Sequence, residues 1–183
     1  MLYVGIILVL LVIYLISVYN KLAKSKVVVE EASSDIETFL KQRYDMIPNL
    51  VEIVKGYAKH ESGTFKEVTE LRTKAMAAGS LPEKMKLEEG ISGAISKIFA
   101  VAENYPELKA NTNFADLSEE LRNTENKISF SRQFYNDSVT RYNTKLELFP
   151  LNLVAGMFNF QKKELFAAES DEARKNVKVD FSK

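Results

Sequence analysis

The chain contains no cysteine, which excludes disulfides, thiolate metal sites, a cysteine nucleophile and lipid attachment to an N-terminal cysteine in one step. Histidine occurs once, as His60. A histidine pair for zinc therefore cannot form, and a Ser-His-Asp arrangement would have to be built on that single residue. Net charge is also missing, because 25 Lys plus Arg balance 25 Asp plus Glu. With no overall basic field to displace counterions, nucleic acid is set aside as a partner. Only 7 glycines and 4 prolines occur in 183 residues, and the apolar residues recur at helical spacing, so long helices with few turns are expected. The length suits one core-bearing domain with an appendage.

One long hydrophobic run is present. From Met1 to Asn20 no side chain carries a charge, and Leu2, Val4, Ile6 to Ile13 with Leu10 among them, Leu15, Ile16 and Val18 are aliphatic. At about 1.5 Å per residue this stretch covers roughly 28 Å, close to the hydrocarbon thickness of a bilayer. Summed over the aliphatic side chains, insertion is favoured by roughly 4 to 8 kcal/mol. A cleaved signal peptide is the rival reading, but no basic region precedes the run and no small-x-small pattern follows it. The run is read as a retained transmembrane helix over 1–20. Lys21, Lys24 and Lys26 follow it, so the positive-inside rule puts the N-terminus outside and the C-terminal domain in the cytoplasm of a single-pass cell-membrane protein. Tyr14 and Tyr19 lie towards the inner end, where an amphipathic ring reaches the headgroup layer.

Beyond the lysines, Val29, Ala32, Ile36, Phe39, Arg43, Ile47, Leu50, Val54 and Tyr57 follow a 3/4 spacing that makes one stripe. The span is expected to run on into this helix, with a kink or restart at Pro48 and Asp45 as a candidate cap. Thr64-Phe65-Lys66-Glu67 reads as a capping box for a helix over about 65–78 that Gly79 ends in a left-handed conformation. Ser80-Leu81-Pro82-Glu83 reads as a second box opening a helix over about 81–104, striped by Leu87, Ile91, Ala94, Ile98 and Ala102. Within it Gly90 and Gly93 suggest close helix contact or a local break. Asn113 is the expected cap of a long fourth helix whose Phe114, Leu117, Leu121, Ile128, Tyr135, Val139, Tyr142, Leu146 and Phe149 mark the buried side until Pro150. The fold class is all-α: a single N-terminal transmembrane helix, continuous or nearly so with an antiparallel four-helix-bundle-like soluble domain over 21–149. Residues 150–183 form an apolar segment and tail. Leu153, Met157, Phe158 and Phe160 belong to a cluster that must cover the bundle, a neighbouring subunit or the membrane surface. Residues 161–172 are charged and read as helical, and the alternating Val177, Val179 and Phe181 suit an extended docking peptide.

Several strings, in order, resemble the LemA family of bacterial envelope proteins. They are Tyr19-Asn20, the run Arg43-Tyr44-Asp45-Met46-Ile47-Pro48-Asn49-Leu50-Val51, Lys55-Gly56-Tyr57 with His60-Glu61, and Tyr105-Pro106-Glu107-Leu108-Lys109. Glu125 with Arg132, Tyr135-Asn136, Tyr142-Asn143, Phe149-Pro150 and Val179-Asp180-Phe181 complete the series. The resemblance implies a single membrane helix followed by an antiparallel helical bundle. It implies no agreed activity, and it brings associations with a membrane-embedded zinc metalloprotease and with magnetosome membranes.

Catalytic motifs are incomplete wherever their residue types occur. His60-Glu61 lacks the second histidine of a zinc protease motif, and Glu37, Glu52 and Glu125 lack the Glu-x-x-His partners of a di-iron bundle. Gly90-x-x-Gly93 lacks the Lys-Ser or Lys-Thr of a phosphate loop. No cofactor is expected. Arg43, Asp45, Glu125, Arg132, Asn136 and Asn143 are polar residues near expected seams. They are read as a structural network in which an arginine pairs with Glu125 or Asp45 and fixes register, against the alternative of a polar interaction site. For Tyr57, Tyr105, Tyr135 and Tyr142 packing with a hydrogen-bonded hydroxyl is expected. The resulting expectation is a non-enzymatic scaffold or adaptor at the lipid bilayer that self-associates as a homo-oligomer. The alternatives are a regulator or substrate adaptor of a membrane metalloprotease and, behind it, a carboxylate-metal enzyme.

Overall fold

Unbroken aliphatic sequence followed by a 3/4 stripe gives helix α1, Leu2–Tyr57. The structure, a computed structural model, describes residues 2–58 and 61–166. Five helices follow α1: α2 (Ser62–Ala77), α3 (Leu81–Ala102), α4 (Pro106–Lys109), α5 (Thr112–Glu147) and α6 (Leu151–Met157). Among the described residues there is no strand. Val177, Val179, Phe181 and His60 lie outside the described residues. Pro48 sits inside α1 rather than at a restart, and Asp45, exposed within the same helix, caps nothing. The helix absorbs the missing N–H at one position because Ile47 and Leu50 on either side are anchored in a core.

Two compact units emerge from the contacts. One combines the chain up to Met46 with Ser118–Leu165, and the other is built on Ile47–Leu117. In the first, α1 buries Val18, Leu22, Ser25, Val29, Ala32, Ile36, Leu40 and Arg43, in steps of four or three. On α5, Leu121, Ile128, Tyr135 and Tyr142 recur every seven residues, the spacing of a seam that faces one partner helix. Lys145 contacts Ser25, Lys127 lies 5.7 Å from the Phe39 ring and Arg43 meets Glu125. The α5 partner number falls as the α1 number rises, so the two helices run antiparallel here. Leu40 takes the core position that spacing assigned to Phe39, which is half-buried.

The second unit packs α2 against α3. Phe65, Val68 and Ala75 of α2 and Ile91, Ala94, Ile95 and Ile98 of α3 are buried, and Lys97 reaches Glu67 at 2.8 Å. Helix ends depart from the capping boxes. Thr64 lies inside α2, which starts at Ser62, so its box does not form. Ser80 does stand at the N-cap of α3, but the Glu83 carboxylate accepts from the Gly79 N–H at 3.1 Å, one residue upstream of the box partner. Gly79 is not left-handed; α2 ends instead through an extended Ala78. Asn111, not Asn113, caps α5, its Oδ1 accepting from the Phe114 N–H at 3.1 Å. The donor is the third residue after that cap, the reach of an N-cap side chain, whereas Asn113 is already in the first turn.

The two α3 glycines differ in kind. A Cβ on Gly90 would sit 3.3 Å from Leu71 Cδ2, so this glycine marks a close approach of α2, whereas one on Gly93 meets nothing within 4 Å. Gly93→Ala is expected to raise stability by about 1 kcal/mol through helix propensity. Gly90→Ala gains less, because Leu71 must shift. Urea unfolding of the two variants checks the order.

Candidate functional site

The start of α1 is apolar and almost wholly uncovered. This is the one helix among the described residues that is long and apolar enough to cross a membrane. Leu2, Val4, Ile6, Leu10, Ile13 and Ile16 are all exposed. Protein cover starts with half-buried Leu15 and fully with Val18. Lys21, Lys24 and Lys26 are exposed just beyond, Lys26 lying 3.7 Å from Glu30.

At that point the chain's C-terminal segment returns. α6 buries Val154 and Ala155 against Val18 and Leu22, with Leu15, Leu146, Leu151 and Phe160 packed around them. The Tyr19 ring lies 4.8 Å from that of Phe158 and 5.7 Å from that of Phe160. α6 ends in a tight cap. Asn159 takes φ 54°, the Phe160 N–H donates to the Ala155 carbonyl at 2.9 Å and the Asn159 N–H to the Gly156 carbonyl at 3.4 Å. Asparagine tolerates the left-handed conformation, and the pattern satisfies carbonyls that a helix end would leave bare. The apolar segment is thus two-faced, because Leu153, Met157 and Phe158 remain exposed, as do Leu148 and Phe149. Phe149 was expected on the buried side of α5; that helix stops at Glu147, so the aromatic ring falls outside its stripe.

Residues 161–166, expected to be helical, carry no helix. They lie as an extended strap along α5, because side chains take up their backbone groups. The Tyr142 hydroxyl donates to the Gln161 carbonyl and the Tyr135 hydroxyl to the Glu164 carbonyl, both at 3.1 Å. Asn143 bonds Lys163 twice, its Nδ2 donating to the carbonyl at 2.8 Å and its Oδ1 accepting from the N–H at 3.0 Å. Lys162 reaches the Glu147 carboxylate at 2.5 Å, and this hydrogen bond, with the lysine charge second, lowers the pKa of Glu147. Burial first, and the nearby Glu164 second, push the Tyr135 hydroxyl above its ordinary 10.0. Tyr142 is raised by burial and then by Glu30. Both phenols are kept protonated by the fold, so their contribution to stability is full below pH 10.0 and is lost as pH rises through the higher folded values. Urea unfolding above that pH is expected to show a steeper fall in stability for the parent chain than for Tyr135→Phe with Tyr142→Phe. Equal slopes would contradict this reading.

The polar seam is centred on Arg43, whose Nη2 lies 2.6 Å from Glu125 Oε2; the arginine side chain is 3% exposed and the carboxylate 42%. Arg132 and Asn136 are half-buried further along α5. Asp45 is on the exposed side of α1. Tyr57 accepts a hydrogen bond from Asn111 Nδ2 at 3.2 Å. In the second unit a shallow cleft of about 470 Å³ is lined by Lys55, Ser62, Phe65, Lys66, Thr69 and Glu70, with the Lys55 ammonium 5.9 Å from the Phe65 ring centre. Among the described residues no three His, Asp or Glu side chains group to hold a metal ion. Sequence reasoning missed the strap and the Asn159 cap. Packing with a hydrogen-bonded hydroxyl, expected for Tyr135 and Tyr142, is what the structure shows, but their acceptors, the Glu164 and Gln161 carbonyls, were not foreseen.

Over 167 residues the chain is 28% identical to Protein LemA of Metamycoplasma hominis, an alignment covering 89% of this chain and 74% of that protein. It is 23% identical over 174 residues to Magnetosome protein MamQ 2 of Paramagnetospirillum magneticum, covering 81% of this chain and 64% of that one. Against Magnetosome protein MamQ of Magnetospirillum gryphiswaldense it is 21% identical over 159 residues, with 73% and 58% covered. The chain therefore spans less than two thirds of the magnetosome proteins' length. None of these names denotes an enzymatic activity. A model of the LemA family matches residues 32–181, and on that match the chain belongs to the LemA family.

Proposed function

We propose that this chain is a membrane-anchored, non-enzymatic scaffold or adaptor of the bacterial envelope that associates with copies of itself. One observation carries the reading: residues 2–14 of α1 are apolar and uncovered, while the same helix from Val18 to Arg43 buries a stripe within the unit that also holds α6 and most of α5. Such a helix is an anchor at one end and a structural seam at the other. Holding copies in two dimensions raises their effective concentration without any new contact. The exposed Lys21, Lys24 and Lys26 support an N-terminus outside and a cytoplasmic C-terminal domain. An antiparallel four-helix arrangement of coiled-coil type, continuous with the span, is part of this proposal.

Cross-linking in intact membranes tests it. A reproducible ladder of the chain with itself is expected. Protein that stays monomeric in detergent at every concentration and cross-links to nothing would sink the proposal. An adduct with a membrane metalloprotease, lost on deleting 177–183, would instead favour the adaptor reading through Val177, Val179 and Phe181. A stoichiometric transition metal in the purified protein would reopen the carboxylate-metal enzyme.

A further inference from the structure

We propose that the knob formed by residues 148–160 sits in the bilayer interface, so that the chain meets the membrane through a second, monotopic element beside its span. This rests on reading the start of α1 as a transmembrane segment. Val154 and Ala155 are buried against Val18 and Leu22, with Leu15 alongside, and the Tyr19 ring lies against Phe158 and edge-on to Phe160. These α1 positions are the last turns of the charge-free run and the first after it, since Lys21 is the first charged side chain. From Leu15 to Leu22 the helix rises about 10 Å, comparable to the boundary layer into which amphipathic elements sink. The knob's own core therefore fixes its height at the membrane surface.

Chemistry at that height fits lipid. Residues 148–160 contain no charged side chain, whereas Lys145 and Glu147 precede them and Lys162 and Lys163 follow. Leu148, Phe149, Leu153, Met157 and Phe158 are each more than half exposed. A patch of that kind marks an interaction surface, and its segment packs on Leu15, Val18 and Leu22, where the span ends, so the bilayer that covers the span also reaches it. The backbone is prepared for such a medium. The Asn159 cap pairs the Ala155 and Gly156 carbonyls, groups that would otherwise enter an apolar layer unsatisfied.

The absence of cysteine makes single-site reporters simple. Leu10→Cys, Leu153→Cys, Met157→Cys and Phe130→Cys, all at exposed positions, are each labelled with an environment-sensitive dye and reconstituted into phosphatidylcholine–phosphatidylglycerol vesicles carrying nitroxide lipids. Dyes at 153 and 157 are expected to lose about half their emission to a nitroxide near the headgroup and less to one near the chain end. The dye at 10 should show the reverse preference, and the dye at 130 neither. Quenching at 10 with none at 153 or 157 overturns the knob and leaves the anchor standing. No quenching at 10 overturns both. Unquenched 157 together with ready disulfide formation between unlabelled Met157→Cys copies assigns the patch to a second copy and refutes the lipid assignment.

Discussion

Replacing Leu10 and Leu11 together by arginine moves the protein from the membrane pellet into the supernatant after alkaline carbonate washing. Each arginine near the centre of a span costs about 2.5 to 3.5 kcal/mol and removes a leucine worth about 0.5, so the pair costs roughly 6 to 8 kcal/mol. The intact run favours insertion by about 4 to 8 kcal/mol. Two substitutions therefore consume the whole preference, whereas Leu10→Arg alone leaves part of it and gives a mixed distribution. Both residues are exposed and belong to the uncovered part of α1, so the folded units lose no internal contact. Pellet retention of the double variant, with both arginines present, would mean that something other than this helix holds the protein to the membrane.

Arg43→Ala is expected to lower stability by about 2 to 4 kcal/mol, mainly through packing. The guanidinium is buried and its stem fills the α1 seam between Leu40 and the antiparallel α5, so truncation opens a cavity in a core. The electrostatic part is smaller than for a fully buried pair, because Glu125 is 42% exposed and regains water when its partner is removed. Arg43→Met keeps the volume and removes the desolvation cost of the charge, so it should stay within about 1 kcal/mol of the parent. Arg43→Lys falls between the two, since it keeps the charge and loses the planar fork. Thermal unfolding in detergent should place Arg43→Ala about 4 to 16 °C below the parent. An unchanged melting temperature would contradict a structural role for this residue.

What was legible in the sequence is what periodicity alone determines. The apolar run, the α1 residues Val29, Ala32, Ile36, Ile47, Leu50 and Val54, and the α3 stripe Ile91, Ala94, Ile98 and Ala102 are buried or uncovered as their spacing requires. The pairing of Arg43 is legible because a lone arginine in an apolar stripe demands a carboxylate, and of Glu125 and Asp45 the structure brings Glu125 to it. Features decided by tertiary contact were not legible. Residues 161–166 have a composition compatible with a helix, yet two phenol hydroxyls and one amide on α5 claim their backbone groups and hold them extended. Helix starts at Ser62 and Thr112 were misread because Thr64 and Asn113 match cap chemistry equally well by type, while only the local path of the chain selects Asn111. The two-faced character of 148–160 was out of reach for the same reason. Its composition shows that the segment is apolar, and only its packing on Val18 and Leu22 shows which side chains are left outward.

The account depends on α1 keeping its apolar start as an anchor. The most direct measurement is the intact mass of the chain recovered from carbonate-washed membranes of cells that express it. The expected result is a membrane-retained protein that still carries the Met1–Asn20 run. A mature chain that begins after Asn20 and is found in the soluble fraction would contradict it.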